Sequence, residues 1–160
     1  MIQAASGNRI NEMLEDALSK GAKIVCGGVA NGAIMPATIL DYVNSSMRIY
    51  DEETFGPVTV VVRVQSADES ITVANYSAYG LSSGVFGRDV NRALAVAMDL
   101  EYGSVHVNGS TVQNEAQAPY GGTKASGIGR DGGDWSFDFY METKNIALAK
   151  GTHTIQRLGA

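Results

Sequence analysis

"GPVTVVVRVQSADESITVANY", Gly56–Tyr76, holds two elements of different kind within 21 residues. Val58 to Val64 is nearly unbroken β-branched sequence, the composition of a strand buried on both faces. Ser66 and Glu69 follow in S-x-x-E spacing, which predicts a capping box opening a helix that runs to about Asn75. A buried strand delivered straight into a helix is the unit of an α/β fold.

The flanking segments repeat the alternation. Upstream, Ile10, Met13, Leu14, Ala17 and Leu18 form the apolar stripe of a helix over Asn8–Lys20, ended by Gly21. "KIVCGG" and "MPATIL" read as short extended pieces. Downstream, "LSSGVFG" is a candidate strand, and Asp89 caps a helix carrying Val90, Leu94, Ala97 and Met98. "SVHVN" is a further strand, a short aromatic helix is expected around Trp135–Met141, and "NIALAK" reads as a last strand. Right-handed crossovers then imply a mostly parallel sheet with flanking helices. Residues 109–134 are rich in glycine and lack periodicity; at 26 residues the stretch is too long for a plain connection and reads as a functional loop.

Composition narrows the function classes. The 160 residues carry 17 acidic against 12 basic side chains, a formal charge of -5, which argues against nucleic acid or an anionic membrane as principal partner. No run approaches the roughly 18 apolar residues of a membrane span. "MIQAASGNRI" has neither a basic n-region nor an apolar core, so no secretory leader is expected. A single cysteine, Cys26, excludes an internal disulfide and favours a reducing, cytoplasmic setting. Two distant histidines, His106 and His153, without companion cysteines argue against a zinc site.

Three motifs carry a bland reading beside a chemical one. "GIGRDG", Gly127–Gly132, matches G-x-G-x-x-G but lacks the immediately preceding strand that a dinucleotide fingerprint needs; a tight loop with several glycines at positive φ is the stronger reading. Cys26 as a nucleophile with His106 as base competes with Cys26 as a small buried hydrophobe in an apolar strand and His106 on a strand's polar face. Glu52 and Glu53 are adjacent, so in an extended segment they point to opposite sides and do not form an acid/base pair. One of them facing a cleft, or both forming a solvated acidic turn, stay open on this ground.

"EETFGPV" (Glu52–Val58) and "PYGGTKASGIGR" (Pro119–Arg130), with "YGLSSGVFGRD", "GSVHVN" and "ETKNI" in order, resemble signature stretches of the aldehyde dehydrogenase superfamily. The resemblance covers the chain from Asn8 onward and implies part of that family's catalytic domain over residues 1–141, with an oligomerisation strand and tail over 142–160. The loop "HVNGSTVQNEAQAPYGGTKASGIGRDGG" is similar to that of members acting on aromatic aldehydes of the salicylaldehyde, benzaldehyde and vanillin type.

By that resemblance Glu53 accepts hydrogen bonds from the nicotinamide ribose of NAD or NADP, Phe55 limits the swing of the nicotinamide ring, and Glu52 is structural or solvated. Gly109, Ser110 and Thr111 leave room for an aldehyde that Val112 and Tyr120 wall, while Asn108 and the loop glycines serve as scaffold. Homodimers or dimers of dimers are implied. The family's nucleophilic cysteine, base, oxyanion Asn and Rossmann-type domain would lie N-terminal to Met1, so no catalytic residue is expected in this chain and no turnover from it alone. A non-catalytic binding or assembly module retaining the fold is the alternative.

Overall fold

The computed structural model describes residues 1–148 and 150–151, which fall into two compact units. The first comprises Met1–Ser77 and Leu94–Leu100, the second Ala78–Ala93 and the chain from Glu101.

In the first unit, α1 (Ala4–Ser19) is followed by β1 (Lys23–Cys26), β2 (Thr38–Asp41), α2 (Arg48–Asp51), β3 (Val58–Val60) and α3 (Ala67–Tyr76). β2 lies at the centre of a three-stranded sheet, antiparallel to β1 and parallel to β3. The apolar stripe of α1 is the predicted one: Ile10, Met13, Leu14 and Ala17 are buried and join Leu40, Val43, Met47 and Ile49 in one core. The helix begins four positions earlier than the stripe indicates because Gly7 lets it run close past another segment; a Cβ there would lie 2.1 Å from the Gly32 carbonyl oxygen. At its other end Gly21 adopts φ +101 and Lys20 pairs with Asp16 at 2.7 Å.

Ser66 caps α3 as expected, while the Glu69 carboxylate reaches one residue further back than in a capping box. Glu69 N–H donates to Ser66 Oγ at 3.1 Å, and the Glu69 carboxylate accepts from Gln65 N–H at 2.6 Å. The strand before it is shorter than expected and is not buried on both faces. β3 ends at Val60; Val58, Val60 and Val62 pack on the core while Thr59, Val61 and Arg63 are exposed. Its valines alternate in burial as in any sheet covered on one side, a period that uniform β-branched sequence conceals.

Cys26 is likewise corrected: its thiol is exposed, not buried. Lys23 pairs with Asp41 and Ile24 with Leu40, but Cys26 then pairs with Ile39, so Val25 is the extra residue of a β-bulge. An unbroken ladder would set Cys26 opposite Thr38, on the face that buries Thr38 and Leu40. One inserted residue turns it to the other face.

At the end of β2, Asp41 accepts from Arg63 Nε at 3.0 Å and Nη2 at 2.5 Å, and the Arg63 guanidinium lies 4.5 Å from the Tyr42 ring. Hydrogen bonding to Arg63 holds the Asp41 carboxyl below its ordinary value. A depressed folded pKa means stability that is present above the unfolded value and lost as pH falls through the folded one. The melting-temperature gap between wild type and Asp41→Asn is therefore expected to hold from neutrality to about pH 5 and to close below about pH 4. A gap unchanged down to about pH 2.5 would rule the ion pair out as its source.

The second unit contains β4 (Tyr79–Gly80), β5 (Ser82–Val85), the start of α4 (Val90–Met98), β6 (Ser104–Val107), β7 (Thr123–Lys124) and α5 (Trp135–Tyr140). β5 runs parallel to β6, and β4 antiparallel to β7. Asp89 caps α4 by accepting from Arg92 N–H at 3.1 Å. The α/β expectation holds, with helices flanking sheets; the expected parallel pairing is found in β2–β3 and β5–β6, beside the two antiparallel pairs. The last strand is not formed by residues 145–148: they are exposed and pair with nothing among the described residues, and a strand exists only with a partner. Ala149 and residues 152–160, including His153 and most of the expected tail, lie outside the described residues.

Candidate functional site

In the first unit, α2 stops at Asp51 and passes directly into Glu52–Pro57. Glu52 closes the helix and accepts from Arg48 Nε at 2.8 Å and Nη2 at 3.1 Å; Arg48 thereby holds its carboxyl below the usual carboxylate range. One member of the acidic pair is thus a structural partner. The Glu53 side chain is exposed and makes no described hydrogen bond; only its backbone carbonyl is engaged, by Arg9 from α1. Phe55 is 77% exposed and sits at φ +48, a conformation bulky residues rarely adopt.

Two neighbours fix this turn. Gly56 packs on α1 so closely that a Cβ would lie 2.4 Å from Ile10 Cδ1. The Pro57 carbonyl accepts from Thr38 N–H of β2 at 2.8 Å. The backbone is anchored on both sides while the carboxylate of Glu53 and the ring of Phe55 point outward.

In the second unit the glycine-rich loop hangs from the end of β6. Asn108, at φ +54, pairs reciprocally with Gly87: Oδ1 accepts from its N–H and Nδ2 donates to its carbonyl, both at 2.9 Å. Asn108 is scaffold, as expected. Ser82 Oγ donates to the Thr111 carbonyl at 2.9 Å, and Tyr120 and Asp131 exchange backbone hydrogen bonds of 2.6 and 2.7 Å. "GIGRDG" takes the tight-loop form, with φ of +136, +78 and +95 at Gly127, Gly129 and Gly132, and no helix opens directly from it.

An open cavity of about 510 Å³ lies within this unit, lined by Leu81, Ser82, Thr111, Val112, Gln113, Asn114 and Tyr120. It brings together three of the five proposed aldehyde contacts, Thr111, Val112 and Tyr120. Gly109 lines a neighbouring cavity of about 360 Å³ with His106, Gln113 and Glu115, and Ser110 lines neither. Leu81, Ser82, Gln113 and Asn114 lie within stretches that carry the family resemblance, but nothing in those stretches assigns them to a site; Arg9 carries no signal either, because its contact spans 44 positions. His106 and Cys26 belong to different units. Among the described residues no cluster of three or more His, Cys, Asp or Glu could hold a metal ion, and no helix is long and apolar enough to cross a membrane.

Comparison with known proteins defines the class: the chain belongs to the aldehyde dehydrogenase family, whose model matches residues 1–146. Salicylaldehyde dehydrogenase of Pseudomonas sp. (strain C18) is 65% identical over 148 residues, 92% of this chain and 31% of that protein. Vanillin dehydrogenase of Pseudomonas fluorescens is 44% identical over 151 residues, 94% of this chain and 31% of that protein. A crystal structure of salicylaldehyde dehydrogenase from Pseudomonas putida G7, complexed with salicylaldehyde, matches with a TM-score of 0.92 and 60% identity over 98% of this chain and 32% of that one. A double mutant of betaine aldehyde dehydrogenase from Staphylococcus aureus, in complex with NAD+, matches with a TM-score of 0.88 and 34% identity over 100% of this chain and 33% of that one. The chain spans about a third of the length of the curated relatives it matches.

Proposed function

We propose that this chain is the part of an NAD- or NADP-dependent aldehyde dehydrogenase that orients the nicotinamide and forms one side of the tunnel for an aromatic aldehyde. The observation that carries this reading is the pair Glu53 and Phe55, a carboxylate and a ring both displayed outward on an anchored backbone. The two residues fit the ligand's chemistry. A carboxylate offers two oxygens to adjacent ribose hydroxyls, and the exposed ring gives a planar heterocycle a surface to lie against. When bound, the nicotinamide accepts the hydride of the aldehyde. Glu53 and Phe55 work by positioning, and neither carries a proton in the reaction.

Thr111 leaves room at the cavity, and Val112 and Tyr120 supply apolar walls suited to an aryl ring. Gly109 and Ser110 keep the loop small beside them. In this reading the thiol that forms the thioester, the base that activates water and the oxyanion donor come from outside these 160 residues. The span of about a third of each relative supports that division of labour. Assembly as a homodimer or tetramer and a cytoplasmic, reducing setting belong to the same proposal, the latter supported by the single cysteine.

The test compares the 160-residue chain with a polypeptide extended to the length of its relatives, each given NAD+ or NADP+ and a panel of aldehydes. The extended protein is expected to oxidise aromatic aldehydes with kcat/KM at least about tenfold above short aliphatic ones, and the chain alone to form no reduced cofactor. Reduced cofactor produced in proportion to the homogeneous 160-residue chain would overturn the division of labour. Equal kcat/KM across the panel would overturn the aromatic assignment.

A further inference from the structure

We infer that Arg9 is a positioning residue for cofactor binding, its guanidinium holding the Glu53–Phe55 turn in a binding-ready shape; the inference rests on the reading that Glu53 and Phe55 receive the nicotinamide ribose and ring. Arg9 projects from α1 onto two consecutive backbone carbonyls. Nη1 and Nη2 each donate to the Glu53 carbonyl at 3.2 Å, and Nη2 also donates to the Thr54 carbonyl at 2.6 Å.

In an extended chain successive peptide units face opposite ways. Here two converge on one cation, and the chain then enters the left-handed region at Phe55. Aligned carbonyl dipoles repel, and a bulky side chain at positive φ adds strain, so this turn persists only where its surroundings over-determine it. A planar guanidinium with five donors suits two adjacent acceptors; an ammonium is a point charge without that fork. The guanidinium also meets the core: Nη1 donates to the sulfur of Met13, a fully buried residue, at 3.5 Å. The next residue, Ile10, closes on Gly56, so adjacent positions of α1 grip the turn on either side of Phe55.

Glu53 and Phe55 reach their ligand only with the directions that this backbone gives them. Where the clamp is absent, the turn must be ordered as the cofactor arrives, and that ordering weakens binding.

The experiment measures the dissociation constant for the oxidised cofactor, and hydrogen exchange of the cofactor-free protein, in the full-length polypeptide carrying this chain. Wild type is compared with Arg9→Ala, Arg9→Lys and Glu53→Ala. Both Arg9 variants are expected to bind cofactor about tenfold more weakly and to exchange faster at residues 53–56, with α1 and β2 as protected as in wild type. Glu53→Ala is expected to lose affinity with exchange unchanged. Wild-type affinity in Arg9→Ala beside a loss in Glu53→Ala overturns the inference and leaves the functional reading standing. Wild-type affinity in Glu53→Ala overturns that reading and the inference with it. Arg9→Lys indistinguishable from wild type in both measurements overturns the role of the fork. Faster exchange throughout α1 in both Arg9 variants makes Arg9 a helix-stabilising residue and overturns the inference too.

Discussion

Gly103→Ala is expected to be the most damaging methyl group that can be added to the second unit, destabilising it by about 3 kcal/mol or more. A Cβ at this position would lie 1.6 Å from the Gly121 carbonyl oxygen, 2.8 Å from its carbon and 3.3 Å from Gly122 Cα. Every one of these atoms is backbone, so no side chain can swing aside. Neither segment is free to retreat. Gly103 N–H donates to the Gly80 carbonyl at 2.9 Å, and Thr123 Oγ1 ties the loop to the carbonyls of Gly80 and Glu101 at 3.1 and 2.9 Å. Arg130 holds the Gly122 carbonyl at 2.9 Å. The substitution should lower the melting temperature and speed exchange of the amides at 120–124, the stretch that delivers Tyr120 to its cavity. Wild-type melting and exchange would mean that the two backbones are not so close in solution.

Leu40→Ala is expected to cost the first unit about 2–5 kcal/mol, the range for truncating a fully buried leucine. Leu40 is 0% exposed on the central strand β2 and belongs to the one core that α1, α2 and the sheet share. It shares that core with Ile10, Met13, Leu14, Val43, Met47 and Ile49, which lie on or beside α1, α2 and the sheet. Denaturant unfolding followed by exchange at β2 amides reads the loss. Ile34→Ala serves as control: Ile34 is 79% exposed, and its truncation is expected to stay within about 0.5 kcal/mol. Equal losses in the two variants would contradict the burial of β2.

The features read correctly from sequence are those decided within one or two helical turns. Ser66 and Glu69 announce their helix because the two hydrogen bonds that start it close within five residues. Asp89 does the same for α4. The stripe from Ile10 to Ala17 gives α1 its buried face, yet not its start, because the close pass at Gly32 is a contact between segments distant in sequence. The valines after Pro57 conceal which of them face solvent, and the residues from Asn145 to Leu148 show strand composition without a strand partner among the described residues. At the candidate site, the quoted stretches named Glu53, Phe55, Thr111, Val112 and Tyr120. Arg9 lies outside the stretches that carry the resemblance, and Leu81 and Ser82 lie in one without being assigned to the site, because the contribution of all three depends on where other elements bring them. Cys26 shows the same limit: strand composition says that it is extended, and only the ladder says which way it faces.

The extra residue at Val25 also bears on how this polypeptide behaves in a crowded solution. β1 is an outer strand of its sheet, and a flat outer strand offers its free amides and carbonyls to any other extended chain. A bulge in the middle of a four-residue strand breaks that row of donors and acceptors and increases the local twist, so an incoming strand cannot keep step with it. Lys23 at the same edge adds a charge that an approaching copy would have to bury. Among the described residues, the irregularity that brings a thiol to the surface thus also makes this edge a poor template for a second strand.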